Sequence, residues 1–196
     1  DAGVNGLSPI ITLESGEHNP TIDAGIYQLT GLGNYVWEDT NSDGIQDSDE
    51  APVSGVIVHL FDGDGNAITS TLTDEDGKYS FDDLIPGDYQ VQFVAPTGYI
   101  FTTPNTGDDA LDSDADVNTG YTQTVTLVGG TYNDTLDAGL LRKASLGDKV
   151  WLDQNKNGIQ EEGEVGFEGV TVKLIGGGFD GVIGTIDDTE AITTTD

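Results

Sequence analysis

The stretch GKYSFDDLIPGDYQVQFV, residues 77–94, decides the fold of this chain. Its second half places Tyr89, Val91 and Phe93 at alternate positions, with polar residues between them. A period of two is typical of a β-strand that buries one face. Pro86 and Gly87 separate the two halves and favour a turn. The stretch therefore predicts two consecutive β-strands.

Similar short segments recur throughout residues 30–141. They are rich in β-branched and aromatic residues, and clusters of Gly, Pro, Asn or Asp separate them. They read GNYVWE (33–38), SGVIVHLFD (54–62), AITSTLT (67–73), TQTVTLVGG (122–130) and DTLDAGL (134–140). No stretch offers two clean turns of amphipathic helix. About seven strands in roughly 110 residues predict an all-β chain built from antiparallel β-sandwiches of the immunoglobulin-like kind.

An internal repeat organises the chain. LGNYVWEDTNSDGIQDSDE begins at Leu32, and LGDKVWLDQNKNGIQEEGE begins 114 residues later at Leu146. SGVIVHL and EGVTVKL, and TIDAGI and TLDAGL, keep the same offset. We therefore expect residues 1–29 to be the C-terminal tail of a preceding repeat, residues 30–141 to be a complete repeat, and residues 142–196 to be the N-terminal part of a following one. Tandem copies of this kind predict membership of a longer array.

The net charge of the chain restricts its partners. Asp and Glu number 36 against 6 Lys and Arg, which gives a formal net charge of −30. This balance opposes binding to nucleic acid and to anionic membranes and favours cations. No apolar run reaches the roughly 18 residues that span a bilayer, so we expect no direct membrane insertion. There is no cysteine, and so no disulfide or thiolate metal site.

The loop DTNSDGIQDSDE, residues 39–50, has the spacing of a calcium-binding loop. Gly44 stands at the sixth place, where such loops turn sharply. Oxygen ligands are predicted at the first, third, fifth, seventh, ninth and twelfth places, from Asp39, Asn41, Asp43, Ile45 (through its carbonyl), Asp47 and Glu50. Calcium, a hard cation, prefers such a set of oxygens. The sequence therefore predicts Ca²⁺ as the cofactor.

The following repeat carries a second copy of this loop at the same register. Its predicted ligands are Asp153, Asn155, Asn157, Ile159, Glu161 and Glu164. Predicted strands flank both loops, whereas sensor-type calcium loops lie between two helices that open on binding. We therefore expect the metal to have a structural role.

Three further acidic groups are weaker candidates. Asp112, Asp114 and Asp116 stand at alternate positions near Asp108 and Asp109, and they favour calcium over a solvated acidic turn. Asp62 and Asp64, with Asn66, could bind an ion or could simply form a turn. In the following repeat the corresponding turn is expanded, and Asp180, Asp187 and Asp188 could gather one ion there.

A series of motifs carries a family resemblance. The stretches are LGNYVWEDTNSDGIQDSDEAPVSGVIVHLFDGDGN (32–66), TDEDGKYSFDDLIPGDYQVQFVAPTGYIFT (73–102), DSDADVNTG (112–120) and TLDAGL (135–140). In this order they resemble the B-type repeat of bacterial serine-aspartate repeat surface proteins, which is distantly similar to the collagen-adhesin B-type fold.

The resemblance implies a calcium-stabilised β-sandwich in a tandem stalk, located extracellularly, on the cell surface or secreted. It places metal ligands at Asp39, Asn41, Asp43, Asp47 and Glu50, and also at Asp112, Asp114 and Asp116. Some collagen-adhesin relatives join a Lys to an Asn covalently. Here the complete repeat has only Lys78, and Tyr35 stands where the following repeat has Lys149, so we expect no such cross-link.

Catalysis is not expected from these residues. His18 and His59 correspond to Tyr132 and Lys173 in neighbouring copies, so neither histidine keeps a repeated role. The paired carboxylates lie at ligand spacing without an apolar pocket that would raise one pKa. Trp37, which recurs as Trp151, suits a core position better than a sugar-binding platform.

The sequence therefore favours a non-catalytic structural spacer in a secreted bacterial surface adhesin, stalk or extracellular filament. Its expected partners are calcium ions, neighbouring repeats and, in a filament, other chains, or a host or matrix ligand. Two alternatives stay open. One is an adhesive module for a ligand or glycan, with FTTPNTGDD from Phe101 as the candidate patch. The other is an accessory module of a larger secreted enzyme.

Overall fold

The computed structural model describes residues 6–176, 183–184, 186 and 189–196. Within this part of the chain the regular structure is β-strand, without helix, and nothing there is long and apolar enough to cross a membrane as a helix. The strands are β1 Thr30–Leu32, β2 Val36–Glu38, β3 Ile57–Asp62, β4 Ala67–Leu72, β5 Phe81–Leu84, β6 Gly87–Val94, β7 Tyr99–Phe101, β8 Val125–Leu127, β9 Tyr132–Asn133, β10 Ala138–Arg142, β11 Thr171–Gly176 and β12 Thr189–Thr194. Two compact units contain them, Asp1–Lys143 and Ala144–Asp196.

One wall of the first unit is a four-stranded antiparallel sheet in the order β4-β3-β6-β8. Its central pair, β3 and β6, matches Val58 with Phe93 and Leu60 with Val91, and all four side chains are buried. The residues between them face outward, as the predicted period of two requires. The opening stretch, residues 77–94, thus contains β5 and β6.

The opposite wall consists of two three-stranded sheets, β5-β1-β9 and β2-β10-β7. Two of their pairings, β1 with β9 and β2 with β10, are parallel, unlike the antiparallel pairing expected throughout. Parallel and antiparallel strands share the same side-chain period, so the sequence pattern could not distinguish them. The first strands of the unit therefore lie directly beside its last ones.

A single core joins the two walls. Its fully buried members include Trp37, Leu60 and Phe93, and the ring of Tyr79 meets Phe93 edge to face at 5.4 Å. The Tyr79 hydroxyl donates to the Leu136 carbonyl at 2.7 Å, so the ring is buried with its polar atom satisfied. The all-β sandwich expected from the sequence is confirmed by these sheets.

The second unit, residues Ala144–Asp196, contains the antiparallel pair β11 and β12. A hydroxyl next to β12 repeats a feature of the first unit. Thr195 Oγ1 donates to the Phe167 carbonyl at 2.7 Å and accepts from the Val170 amide at 3.0 Å. Thr73, one residue beyond β4, makes the same two bonds in the first unit. Thr195 and Thr73 are therefore equivalent positions.

Thr73 tests how much one buried hydroxyl contributes. It is 4% exposed, donates to the Val53 carbonyl at 2.7 Å and accepts from the Val56 amide at 2.9 Å. Thr73→Val leaves both backbone groups buried without these partners, which costs about 2–4 kcal/mol of unfolding free energy. Urea denaturation should show this loss, whereas Thr124→Val, an exposed position, should change stability by less than about 0.5 kcal/mol. Equal losses in the two variants would contradict this account.

Candidate metal centre

The predicted loop of residues 39–50 begins directly after β2 and is anchored by its first residue. Asp39 is only 2% exposed. Its carboxylate accepts from the Ser42 amide at 2.6 Å and from the Gly44 amide at 2.9 Å. Thr102 Oγ1 donates to the same carboxylate at 2.6 Å. Thr102, which the sequence did not identify, therefore holds the first predicted ligand in place.

Three of the remaining predicted ligands are joined by hydrogen bonds, although the carboxylates of this loop do not form a group of three within 4.8 Å of one another in the described residues. Asn41 Nδ2 donates to Asp43 Oδ2 at 2.9 Å and to Asp47 Oδ2 at 3.0 Å. The two carboxylates therefore lie within reach of one donor, the position that a cation would take between them. The twelfth residue, Glu50, closes the loop by accepting from the Thr40 amide at 2.6 Å and the Asp47 amide at 3.2 Å.

The backbone of the loop adopts the turn that a calcium loop requires. Gly44, at the sixth place, has φ +79°, and a Cβ there would lie 2.5 Å from the Thr103 carbonyl oxygen. Ser42 is also left-handed, with φ 64°. The Ile45 carbonyl, the predicted seventh ligand, accepts no hydrogen bond from the described residues. It is thus available to a metal.

The second copy of the loop folds in the same way. Asp153 accepts from the Lys156 amide at 2.6 Å and the Gly158 amide at 2.8 Å, and Glu164 accepts from the Gln154 amide at 3.1 Å. Asn155 donates to Glu161, as Asn41 does to Asp47. Asn157 accepts from the Ile159 amide at 2.7 Å, which repeats the bond from Ile45 to Asp43. This agreement shows that the local sequence determines the loop shape.

The first loop docks on a neighbouring acidic segment. The Gln46 amide donates to the Leu111 carbonyl at 2.7 Å, and the Ser113 amide donates to the Gly44 carbonyl at 3.1 Å. The FTTPNTGDD stretch from Phe101 packs beside the loop too, because Thr102 bonds Asp39. Part of the stretch that was predicted as an adhesive patch therefore holds the Asp39 loop in place.

Three carboxylates converge in this acidic segment. One oxygen each of Asp109, Asp112 and Asp114 lies within 4.8 Å of the others. Asp112 and Asp114 are both 3% exposed. The Oδ2 atom of Asp112 accepts from the Gly107 amide at 2.8 Å, but its buried Oδ1 has no hydrogen-bond partner among the described residues. An orphaned buried carboxylate oxygen beside two further carboxylates is the donor set that a hard cation fits.

Asp137, at the edge of β10, adds a fourth carboxylate to this buried region. It is fully buried, and its amide donates to Asp114 Oδ2 at 2.8 Å. Its own carboxylate accepts from the Tyr35 amide at 3.1 Å and from Asn34 at 3.0 Å. Burial raises the pKa of Asp137 to about 8, and the nearby Asp114 adds to the rise.

Asp114 has a raised pKa for the same reason. Burial lifts its pKa to about 6, and the negative charges of Asp109 and Asp112 contribute further. Hydrogen bonds from the Asp137 amide and from Gln123 oppose the rise. The geometry therefore concentrates carboxylates that are costly to ionise together, which a bound cation would relieve.

Other predicted ligands lie apart from this group. Asp116 is exposed and accepts three bonds within its own turn, from the Asn118 amide and from the amide and hydroxyl of Thr119. The Asp62 carboxylate similarly accepts from the side chain and amide of Asn66 and from the Asp64 amide, and these bonds lower its pKa. Both are turn geometries. Asp180, Asp187 and Asp188 lie outside the described residues.

The raised pKa values give a pH prediction for the cation-free chain. The ordinary Asp pKa is 3.8, so the folded chain binds protons that the unfolded chain releases. This contribution is complete below about pH 4 and is lost as pH rises through about 6 for Asp114 and about 8 for Asp137. In EDTA the melting temperature should fall between about pH 5 and 8, and Asp137→Asn should flatten that fall. A melting temperature that rises over this range would contradict the assignment.

The sequence of the chain matches one family model and is similar to known staphylococcal proteins. A family model described as the SdrD B-like domain matches residues 30–140 and 144–196. Serine-aspartate repeat-containing protein D of Staphylococcus aureus (strain Newman) is 47% identical over 174 residues, which is 87% of this chain and 13% of that protein. Protein F of Staphylococcus epidermidis is 46% identical over 174 residues, 87% of this chain and 10% of that protein. The chain thus spans a small part of these relatives.

Solved structures give more distant likenesses. The minor pilin GBS52 of Streptococcus agalactiae matches with a TM-score of 0.42 at 16% identity, over 63% of this chain and 48% of that one. The D295N mutant of the shaft pilin spaA of Lactobacillus rhamnosus GG matches with a TM-score of 0.35 at 14% identity, over 80% of this chain and 63% of that one. The family match covers most of the sequence, and the chain belongs to the SdrD B-like domain family.

Proposed function

We propose that this chain is a calcium-stabilised, non-catalytic structural spacer of a secreted bacterial surface adhesin, stalk or extracellular filament. The observation that carries the proposal is the Asp39 loop, whose hydrogen-bonded backbone shape recurs in the Asp153 loop. The orphaned Oδ1 atom of Asp112 supports a further ion in the neighbouring acidic segment. Family membership supports the repeat character of the chain.

The chemistry of the donors favours calcium. The candidate ligands are carboxylate, amide and carbonyl oxygens, and Glu50 can bind through both of its oxygens. Calcium takes six to eight such oxygens in a flexible arrangement, whereas magnesium needs a tight octahedron and retains its waters. In each loop Asp39 or Asp153, Asn41 or Asn155, and Glu50 or Glu164 would hold the ion. The bound ion would supply positive charge that offsets the convergent carboxylates.

The position of the loop favours a structural role. It leads from β2 towards β3, so it connects the two walls of the sandwich. Its backbone also bonds the segment around Leu111 and Ser113. An ion that fixes this loop would therefore fix contacts between segments far apart in sequence. No helix pair flanks the loop in the described residues, which argues against a sensor-type opening.

The expected location outside the cell is confirmed by family membership. The chain covers 13% of serine-aspartate repeat-containing protein D of Staphylococcus aureus, so the activity and partners of that protein come to this chain only as proposals. Within the spacer proposal, neighbouring repeats are the nearest partners. The alternative role is adhesion to a host or matrix ligand. The FTTPNTGDD stretch is a weaker candidate for such a binding patch because its residue Thr102 bonds Asp39 in the neighbouring loop.

Calorimetry with each ion tests the proposal. Calcium should bind with a dissociation constant of about 10 μM or below, and magnesium at least about tenfold more weakly. Asp43→Ala removes a ligand at the fifth place and should weaken calcium binding at its loop at least about tenfold. The matched control Asp49→Ala removes an exposed charge from the same loop at a place without a predicted ligand, and should bind normally. Equal affinity for the two ions, or equal effects of the two variants, would reject the assignment.

A further inference from the structure

β4 is the outer strand of the four-stranded sheet, and among the described residues it pairs with β3 alone. Its sequence, AITSTL, contains no charged residue, although 21% of the chain is charged. An outer strand presents unpaired backbone groups to other chains, and natural proteins usually protect such edges with charged side chains, Pro or bulges. Here the protection is limited to one irregularity of register between Leu60 and Phe61.

The corresponding strand of the second unit is protected differently. Because Thr195 is equivalent to Thr73, Ile192 of β12 stands at the place of Ser70. Two residues before it, Glu190 forms an ion pair with Lys173 on β11. The charge-free edge is therefore a property of the first unit and not a general feature of these repeats.

The β4 edge is also self-complementary. Ile68 and Leu72 lie two residues to either side of Ser70, and they are 48% and 58% exposed. Leu72 pairs with Ile57, which is 41% exposed, on the outward face of the sheet. The outward positions on β4 are thus apolar at both ends and hydroxylated in the middle.

We propose that β4 is an interface at which a second copy of this chain adds strand to strand. A two-fold axis at Ser70 would place Ile68 of each copy opposite Leu72 of the other copy. It would also place Thr69 opposite Thr71 of the second copy. Apolar and Thr–Thr cross-strand pairs of this kind are favourable, and no like charges on the two strands oppose each other. The contact is isologous and therefore closes as a dimer.

A cavity of about 580 Å³ lies at the C-terminal end of β4, where Thr71 and Leu72 line it together with Lys78 and Tyr132. Asp74 and Asp134 also line it. Registers centred on Thr69 or Thr71 would also place the outward faces of the two β4 strands on the same side, but neither register pairs Ile68 with Leu72. The register at Ser70 is the one that covers both apolar side chains.

Charge opposes the association without abolishing it. Each copy carries a formal net charge of −30, so two copies repel each other. Dissolved salt screens this repulsion and shortens the distance over which it acts. The dimer should therefore strengthen as ionic strength increases. This inference does not rest on calcium binding, and its failure would leave the spacer proposal intact. In a stalk or filament, the interface would join neighbouring chains side by side.

Sedimentation of the full chain tests the interface. At concentrations up to about 0.5 mM in 1 mM calcium chloride, the weight-average mass should rise from 20.6 kDa towards twice that value as sodium chloride is raised from 0.05 to 0.5 M. Ser70→Glu and Ser70→Lys each place like charges on the two-fold axis and should weaken the dimer at least about tenfold. Gln92→Glu and Gln92→Lys add the same charges to an inner strand and should leave it unchanged. A mass of 20.6 kDa under all these conditions would overturn the proposal.

Cross-linking tests the register directly. The chain has no cysteine, so Ser70→Cys introduces a single thiol. Opposed residues in an antiparallel pair lie at Cα separations that a disulfide bridges. Mild oxidation with diamide should therefore convert Ser70→Cys to a covalent dimer at least about tenfold faster than Gln92→Cys. Equal rates for the two variants would overturn the assigned axis.

Discussion

Repulsion between carboxylates packed close together is the constraint on which this structure depends. Asp112, Asp114 and Asp137 are all buried within one region of a chain whose net charge is −30. Water cannot screen them there, so each ionised group raises the cost of ionising the next. Burial is the main cause of the raised pKa values of Asp114 and Asp137, and the neighbouring carboxylates raise both further. Protons relieve this cost, and on our proposal bound cations would relieve it too.

The same constraint links local geometry to the sandwich. Asp39 directly follows β2, and its amide donates to the Leu140 carbonyl at 3.0 Å on the neighbouring strand β10. β10 also begins directly after Asp137, whose amide bonds Asp114. The Asp39 loop and the acidic segment are therefore attached to the same pair of strands. Cations at these places would stabilise contacts between the first and last strands of the repeat, which suits a spacer that must keep its shape.

The strands and the loops were predictable from the sequence because both depend on local patterns. The alternation of Tyr89, Val91 and Phe93 identifies a strand whichever strand it pairs with. The spacing of residues such as Asp39 and Gly44 is enough to identify the loop. Long-range pairing leaves no comparable pattern. β1 pairs in parallel with β9, and β2 pairs in parallel with β10. These pairings, and the hydrogen bond from Thr102 to Asp39, bring together residues that are 60 or more positions apart.

The acidic segment shows the same limit at closer range. Spacing predicts Asp116 as a partner of Asp112 and Asp114, yet the turn after Asp116 directs its carboxylate to Thr119 and Asn118. Asp109 joins the group instead. Asp137 lies in the repeated motif TLDAGL, so its position was identified as recurring, but its burial against Asp114 depends on tertiary packing.

Thermal unfolding of the full chain, followed by circular dichroism in 1 mM calcium chloride and in excess EDTA, tests the central claim most directly. One site with a dissociation constant of about 10 μM would contribute about 2.7 kcal/mol at this calcium concentration. The account predicts that chelation lowers the melting temperature by about 10 °C for each such site. Superimposable melting curves in calcium and in EDTA would contradict it.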